Sequence, residues 1–353
     1  MSKKVPKLTA YVGTYTNGKS EGIYSFSLDT TSGNIDEVKL AAKLENPTYL
    51  SINKNNQYLY SVIKVGEAGG VAAFSINNLT KSLELLNYQV SDGKPPCHVS
   101  LDSKNNYVFS ANYHKGNVEV FLINKDGSIN AASSTITHEG SGPNKARQEK
   151  AHVHYVDLTP DEKYLCTVDL GIDKLVIYKL NNGTLLKLND LSLKPESGPR
   201  HMDFHPNGRF AYIITELSSE VIALEYSPSE CNFKELQYIS TLPDRYNNEN
   251  LGGAIHISPD GRYLYASNRG HDSIAVFSID NLSGKLKLIS HNSTEGLYPR
   301  DFSIDPTGKF LVVVNQNSNN IVPFLIDRTT GKLTQINSSV FIPNPVCVKF
   351  FHI

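Results

Sequence analysis

The chain has 353 residues with 34 basic and 35 acidic side chains, so its formal net charge at neutral pH is close to zero. This balance argues against partners that are selected by charge alone, such as nucleic acid or an anionic membrane surface. A polar, basic start and the lack of an apolar stretch that could span a bilayer predict a cytoplasmic protein. The four cysteines are scattered without a CxxC pair and are predicted to be free thiols.

The first predicted elements are two β-strands, at residues 10–16 and 22–28, in which apolar and polar residues alternate. A hairpin pattern then occurs six times, each with an apolar run, a polar turn and a second apolar run. In the fourth copy the turn contains Pro206, Asn207 and Gly208, which favour a tight reversal. The second strands begin at Tyr58, Tyr107, Tyr164, Phe210, Tyr263 and Phe310. This repeat of about fifty residues is in the range of propeller blades.

A third strand follows each hairpin, as at residues 118–123 and 274–279. A more polar fourth strand comes after a glycine-containing turn, as at residues 284–289. Four strands per unit, with the most polar strand outermost, is the pattern of a propeller blade. The longest irregular piece, residues 131–150, is predicted to be an elaborated loop.

The two ends of the chain are predicted to share a unit. Residues 344–351 are a first strand with no partner after it, whereas the strands at 10–16 and 22–28 have no first strand before them. Joining them removes the exposed edges of an open array. The sequence therefore predicts an all-β, seven-bladed β-propeller of four-stranded antiparallel blades, closed by pairing of the carboxyl-terminal strand with the amino-terminal strands. Residues 1–353 are predicted to form a single domain.

The repeat also identifies equivalent positions around the mouth of the central channel. The entrances of the innermost strands carry Thr48, Cys97, His154, Arg200, Gly253, Arg300 and Val346. The exits of the second strands carry Thr16, Lys64, Tyr113, Leu170, Glu216, Arg269 and Gln316. An entrance and an exit lie at the same end of an antiparallel hairpin, so both rings surround one mouth. A purely structural position tends towards one residue type in all blades, so the mixed and charged rings indicate a functional site.

Position in the repeat separates the histidines. His154 lies at an entrance and is the predicted acid or base, with His152, two residues earlier on the same strand face, as the alternative. His98 and His201 follow an entrance position, so strand alternation predicts that they point away from the channel.

The remaining polar residues near these strands have structural explanations. His205 is predicted to serve a turn and His256 to be a satisfied strand residue. The positions next to the exits carry Asn112, Asp169, Thr215, Asn268 and Asn315. For each of these side chains alone, a hydrogen bond to the turn of its own blade is favoured over contact with a substrate.

The sequence has no GxSxG elbow, no P-loop, no strand-GxGxxG-helix unit, and no HExxH or Cys/His zinc spacing. The rings instead hold several arginines, one carboxylate and one imidazole. This set suits a small anionic substrate that carries a carboxylate or phosphate and is gripped by guanidinium forks, with acid and base chemistry from His154 and Glu216. No cofactor and no metal ion are predicted.

Five segments resemble those of the propeller-type bacterial 6-phosphogluconolactonases, a family shared with the carboxymuconate lactonizing enzymes. They are residues 11–15 (YVGTY), 198–206 (GPRHMDFHP), 216–217 (EL), 256–269 (HISPDGRYLYASNR) and 299–302 (PRDF). The resemblance extends over essentially the whole chain and implies a seven-bladed propeller with a metal-independent site. It also implies four catalytic residues, which are His154, Arg200, Glu216 and Arg269. The two rings and the position next to the exit residue Arg269 add four substrate-binding candidates, which are Arg300, Tyr113, Asn268 and Gln316.

The resemblance implies hydrolysis of a sugar-acid lactone, most directly 6-phosphoglucono-1,5-lactone, by water that is activated by His154, His152 or Glu216. Two other functions stay open: a carboxymuconate-type cycloisomerase, and a non-catalytic propeller that binds a protein or peptide through an apolar patch. A divalent metal in the channel also stays open, with oxygen ligands from Glu216, Asp169, Asn268 and Asn315. The predicted partner is a small anionic lactone, and the sequence does not decide between a monomer and a dimer.

Overall fold

The computed structural model describes residues 7–353, which form seven sheets of antiparallel strands joined by turns and loops. Blade 7 contains β1 (Lys7–Thr14), β2 (Gly22–Asp29), β3 (Ile35–Lys43) and the last strand, β29 (Pro345–Phe350). Blade 1 contains β4 (Leu50–Ile52), β5 (Tyr58–Val65), β6 (Ala68–Ile76) and β7 (Leu83–Asp92). Blade 2 contains β8 (His98–Leu101), β9 (Tyr107–Asn112), β10 (Asn117–Ile123) and β11 (Ile129–Thr137).

The remaining blades continue in chain order. Blade 3 contains β12 (Val153–Leu158), β13 (Tyr164–Asp169), β14 (Lys174–Asn181) and β15 (Thr184–Ser192). Blade 4 contains β16 (Pro199–Phe204), β17 (Phe210–Thr215), β18 (Glu220–Ser227) and β19 (Asn232–Ser240). Blade 5 contains β20 (Leu251–Ile257), β21 (Tyr263–Arg269), β22 (Ser273–Ile279) and β23 (Leu286–Ser293). Blade 6 contains β24 (Pro299–Ile304), β25 (Phe310–Asn315), β26 (Asn320–Ile326), β27 (Leu333–Gln335) and β28 (Val340–Phe341).

The predicted seven-bladed propeller of four-stranded blades is confirmed, and its outer strands differ from the prediction in two details. In blade 6 the outer strand is divided, because β27 and β28 pair with different parts of β26. In blade 2 the outer strand β11 includes residues 131–137, so the irregular segment covers residues 138–152 instead of 131–150. Among residues 7–353, no helix has the length and hydropathy needed to cross a membrane.

The ring is closed as predicted, through pairing of the last strand with the first. Strand β29 runs antiparallel to β1, with Val348 opposite Val12 and Phe350 opposite Ala10. All four of these side chains are buried. The inner edge of β1 is therefore covered by the far end of the chain, so the pairing leaves no free inner edge in blade 7.

Neighbouring blades are held together by apolar packing and by a repeated hydrogen bond. The hydroxyl of Tyr60 in blade 1 donates to the carbonyl oxygen of Gly127, in the outer turn of blade 2, at 3.0 Å. The same bond links Tyr212 to Gly284, Tyr265 to Gly331 and Tyr11 to Lys81. These tyrosine rings are fully buried, so the hydroxyl needs a partner and the next blade supplies it. The second strands are thereby fixed relative to the turns beside them.

The innermost strands of blades 3, 4 and 6 carry β-bulges at their entrances, and these change which side chains face the channel. The pairing shifts between Pro199 and His201 in blade 4, and equivalent shifts occur in blades 3 and 6. A bulge opposes two residues to one, so two consecutive side chains are re-aimed. Both Arg200 and His201 consequently line the channel.

The prediction that His98 and His201 point away from the channel is therefore wrong. The His201 ring lies 5.2 Å from that of His154 and 5.4 Å from that of His98, measured between centroids. His256 faces the far end of the same channel, where its Nδ1 lies 3.8 Å from Asp203 and its Nε2 lies 3.7 Å from Asp301, so carboxylates of the two neighbouring blades flank it. The predicted turn role of His205 is confirmed, because it accepts a hydrogen bond from the Asn207 amide.

Candidate active site

A cavity of about 360 Å³ opens at the channel mouth where the strand entrances and exits meet. Six of the eight predicted site residues line it: His154, Arg200, Glu216, Arg269, Arg300 and Tyr113. They come from blades 2 to 6, so the cavity exists only when the ring is assembled. Gln316 lies in an adjoining recess, and Asn268 lies outside both.

Glu216 is the centre of the charged cluster in this cavity. Its Oε2 accepts a hydrogen bond of 2.6 Å from Arg269 and lies 3.2 Å from Nε of Arg200, an ion pair without hydrogen-bond geometry. Its Oε1 accepts a hydrogen bond from Arg147. Burial opposes ionisation of this carboxyl, but the charges of Arg269 and Arg200 outweigh burial and hold its pKa well below the ordinary value. Glu216 is therefore ionised at neutral pH. It binds the surrounding guanidinium groups, and it is a weak proton acceptor.

Backbone contacts fix the two buried arginines of this cluster. Arg200 donates to the carbonyl oxygen of Gly253 at 2.8 Å, and Arg269 donates to that of Gly252. Both acceptors lie at the entrance of β20, so strand β20 orients guanidinium groups from blades 4 and 5. Arg200 and Arg269 are 2% and 3% exposed, which leaves them little freedom to move.

His154 lies beside this cluster, and His152 does not line the cavity. Burial, and then the positive charge of Arg200, lower the pKa of His154 well below its ordinary value, so the imidazole is neutral at neutral pH. Its Nδ1 has no hydrogen-bond partner in the described part of the chain. His152 donates from Nδ1 to the carbonyl oxygen of Tyr113, contacts Glu149 through Nε2, and stacks on the Tyr113 ring at 4.0 Å. His152 thus supports the cavity wall from behind.

Arg147 is a site residue that the repeat could not identify. It lies on the irregular segment 138–152, which has no counterpart in the other blades. The fully buried Gln148 anchors this segment by donating to the Leu170 carbonyl oxygen at 2.9 Å. The Arg147 side chain is 34% exposed and reaches Glu216 from the solvent side. The one signal in the sequence was a basic residue on an unusually long loop beside the predicted mouth.

Asn268 is corrected from a substrate-binding candidate to a structural residue. It is fully buried, and its amide donates to the Thr241 carbonyl oxygen at 2.7 Å and to the Ser273 hydroxyl at 3.2 Å. The equivalent residues also bond to nearby loops: Asn112 to Lys94, Asp169 to Gly171, Thr215 to Glu220 and Asn315 to Thr294. All five side chains therefore have hydrogen-bond partners in nearby loops.

The same contacts bear on the divalent-metal alternative. Of the four oxygen donors considered, Glu216 lines the cavity, whereas Asp169, Asn268 and Asn315 are engaged by the backbone of their own or neighbouring loops. Among residues 7–353, no group of three or more His, Cys, Asp and Glu side chains is arranged to hold a metal ion. The residues present therefore do not form a carboxylate-rich calcium cage.

The fold and the charged channel mouth agree with the comparison to known protein families. The family described as "Lactonase, 7-bladed beta-propeller" matches residues 9–350, so the chain belongs to this family of lactonases. It is 52% identical to the 6-phosphogluconolactonase of Bacillus subtilis (strain 168) over 346 residues, covering 98% of this chain and 99% of that protein.

Two solved structures have the same fold over nearly the whole chain. A Lactobacillus plantarum protein superposes with a TM-score of 0.94 at 40% identity, covering 98% of this chain and 100% of that one. The periplasmic gluconolactonase of Pseudomonas aeruginosa superposes with a TM-score of 0.93 at 30% identity, covering 99% of this chain and 100% of that one. The family resemblance inferred from the motifs is thus confirmed.

Proposed function

We propose that this protein hydrolyses a sugar-acid lactone, with 6-phosphoglucono-1,5-lactone as substrate and 6-phosphogluconate as product. The observation that carries the proposal is a neutral imidazole, His154, in a cavity lined by four guanidinium groups and only two carboxylates, those of Glu216 and Asp301. This excess of positive charge suits an anionic substrate and an oxyanion that develops during reaction. The name of the Bacillus subtilis relative supports the same substrate.

In this proposal His154 is the general base. Its neutral form accepts a proton from water as the water oxygen attacks the lactone carbonyl carbon. Arg200 and Arg269, held by Glu216 and by strand β20, stabilise the negative charge that develops on the carbonyl oxygen. The imidazolium then returns the proton to the ring oxygen as the ester bond breaks. Glu216 is the weaker choice of base because three guanidinium groups already engage its oxygens, whereas Nδ1 of His154 has no hydrogen-bond partner in the described part of the chain.

The charge of the mouth also bears on the alternatives. A protein-binding or peptide-binding module would present an apolar, aromatic-rich surface there, whereas this cavity contains Arg147, Arg200, Arg269 and Arg300. The relatives that are named as lactone hydrolases favour hydrolysis over formation of a lactone. A cytoplasmic location and a monomeric or dimeric state stay predictions.

The direct test is an assay on freshly generated 6-phosphoglucono-1,5-lactone, with the uncatalysed rate subtracted, in the presence and absence of a chelator. We expect acceleration that the chelator does not change. Hydrolysis no faster than the uncatalysed rate would contradict the proposed function. Activity that a chelator removes and a divalent metal restores would contradict the metal-independent mechanism and leave hydrolysis standing.

A further inference from the structure

An open recess adjoins the cavity on the side away from His154. It is lined by Tyr15, Asn17, Tyr298, Arg300, Gln316 and Asn317, and it shares Tyr15, Tyr298 and Arg300 with the cavity. Arg300 and Tyr298 lie at or just before the entrance of blade 6, and Gln316 lies at the exit of the same blade. His154 belongs to blade 3, so the recess faces it across the channel mouth.

The recess differs from the rest of the site because four of its side chains, those of Arg300, Gln316, Tyr15 and Tyr298, have no hydrogen-bond partner within residues 7–353. Within residues 7–353, the guanidinium group of Arg300 has no hydrogen bond or ion pair, and it lies 5.6 Å from the centroid of the Tyr15 ring. The Gln316 side chain makes no hydrogen bond; its buried Oε1 can only accept, so Nε2 is the atom that can donate to an anion. The hydroxyl groups of Tyr15 and Tyr298 have no partner in the same range. The other three arginines of the cavity all contact Glu216.

The charge of the recess and its hydrogen-bond donors indicate which kind of ligand it can bind. No Asp or Glu is among the six lining residues, and Arg300 forms no ion pair with a carboxylate in the described part of the chain, so the recess itself carries net positive charge. A guanidinium fork, a side-chain amide and two phenol hydroxyls together offer more donors than a carboxylate can use. A phosphate ester has three terminal oxygens and a charge near −2, which matches this set.

We propose that this recess binds the phosphate group of a phosphorylated sugar lactone while the lactone carbonyl lies between His154 and Arg200. The inference rests on the proposed lactonase function and adds the source of substrate selectivity. The arginines that contact Glu216 interact with the lactone carbonyl end of the substrate, and Arg300 interacts with its phosphate end. The protein then prefers a phosphorylated lactone to the same lactone without phosphate.

The kinetic test compares kcat/KM for 6-phosphoglucono-1,5-lactone with kcat/KM for glucono-1,5-lactone in wild type and in Arg300→Gln. We expect the ratio of the two values to fall by roughly 10- to 100-fold in Arg300→Gln, the range for a lost hydrogen bond to a charged group. Gln316→Met, which keeps the side-chain length, should lower the ratio by roughly 2- to 10-fold. Arg245→Gln, at an exposed arginine that lines neither cavity nor recess, is the matched control and should leave the ratio unchanged. Thermal melting of each variant checks that it folds.

A binding test separates failure of this inference from failure of the proposed function. Calorimetric titration of wild type with 6-phosphogluconate, gluconate and inorganic phosphate should give the tightest binding for 6-phosphogluconate, and Arg300→Gln should weaken that binding most. If neither lactone is hydrolysed, the lactonase proposal fails, and the titration still decides the phosphate site. Equal binding of phosphorylated and unphosphorylated acids, or equal losses on both lactones in Arg300→Gln, would overturn the phosphate site and leave hydrolysis intact.

Discussion

Glu216 is held by three guanidinium groups and is 4% exposed. Removing one partner of a buried ion pair is costly, because the charges that stay behind lose their compensation. Arg200 and Arg269 would be left close together in a poorly solvated site. The carboxylate thus combines two roles, since it holds the arginines in position for an oxyanion and offsets their mutual repulsion.

Glu216→Gln should lower the free energy of unfolding at pH 7 by roughly 3–5 kcal/mol. The folded-state pKa of Glu216 is lowered, so its contribution is present above the unfolded pKa and is lost as the pH falls through the folded pKa. The difference between wild type and variant in urea unfolding should therefore narrow at low pH. Glu225→Gln, which breaks the exposed pair with Arg209, is the control and should cost about 0–1 kcal/mol. Equal stability of Glu216→Gln and wild type at pH 7 would contradict the structural role.

His154→Gln should lower kcat on the lactone by roughly 10²- to 10⁴-fold, the usual contribution of a general base. His152→Gln should have a much smaller effect, because His152 supports Tyr113 and does not line the cavity. A base must be unprotonated to act, and the pKa of His154 is well below its ordinary value, so wild-type activity should stay level through pH 6.5 and fall only at lower pH. A larger loss in His152→Gln would reverse the assignment.

At the residue scale, the repeat placed His154, Arg200, Glu216 and Arg269 together because each departs from an otherwise equivalent position in its blade. Arg147 could not be found in this way, since the segment that carries it has no counterpart to compare with. The repeat pattern also could not show that the side-chain amide of Asn268 is buried and already hydrogen-bonded. Its neighbour Arg269 faces the mouth, and only the hydrogen bonds between Asn268 and Thr241 show that the Asn268 side chain is already engaged.

At the element scale, the entrance bulges account for the channel lining. Strand alternation assigns one of two consecutive residues to the channel, whereas the bulge admits both Arg200 and His201. Nothing in the residue types around position 200 marks a bulge, because any residue can occupy it. The number and order of the strands could be predicted from hydrophobic alternation. The register of strand pairing at the entrances could not, and only the structure shows it.

Gly252→Ala tests whether the joint between blades 4 and 5 positions the charged cluster. The Gly252 amide donates to the Glu216 carbonyl oxygen at 3.0 Å, and an added Cβ would lie 2.2 Å from the Thr215 carbonyl oxygen. The blades must therefore separate. We expect a loss of about 1–3 kcal/mol in the free energy of unfolding and a fall of about 10²-fold in kcat/KM from misplacement of Glu216 and Arg269.

The control for this change is Gly66→Ala. An added Cβ there meets no atom within 4 Å, although the backbone φ of +57° favours glycine. It should cost about 1–2 kcal/mol through backbone strain and leave kcat/KM unchanged. A Gly252→Ala protein with wild-type kcat/KM would show that the cluster tolerates movement of this joint.

At the scale of the whole molecule, the fold was predictable because one supersecondary unit recurs along the chain and its two incomplete copies complement each other. Each unit exposes apolar faces that only its neighbours can bury, as where Phe310 and Val312 of blade 6 pack with Val12 and Phe26 of blade 7. The active site depends on the same ring, since its residues come from blades 2 to 6. That residues 1–353 unfold as one domain stays a prediction.

Deleting residues 345–353 tests both ring closure and the single domain. Strand β1 would lose the partner that covers Ala10 and Val12, and a long apolar edge would be open to pairing with other copies. We expect insoluble protein, or soluble aggregates by size-exclusion chromatography, without lactonase activity. Deleting Ile353 alone, which is 82% exposed, is the control and should leave the melting temperature within a degree or two of wild type.

Moving residues 344–353 to the amino end through a flexible linker restores the pairing of β29 with β1 and should recover a monodisperse, active protein. A truncated protein that stays soluble and melts in one transition at the wild-type temperature would contradict this prediction. It would show that the ring unfolds as one unit without closure by the carboxyl-terminal strand.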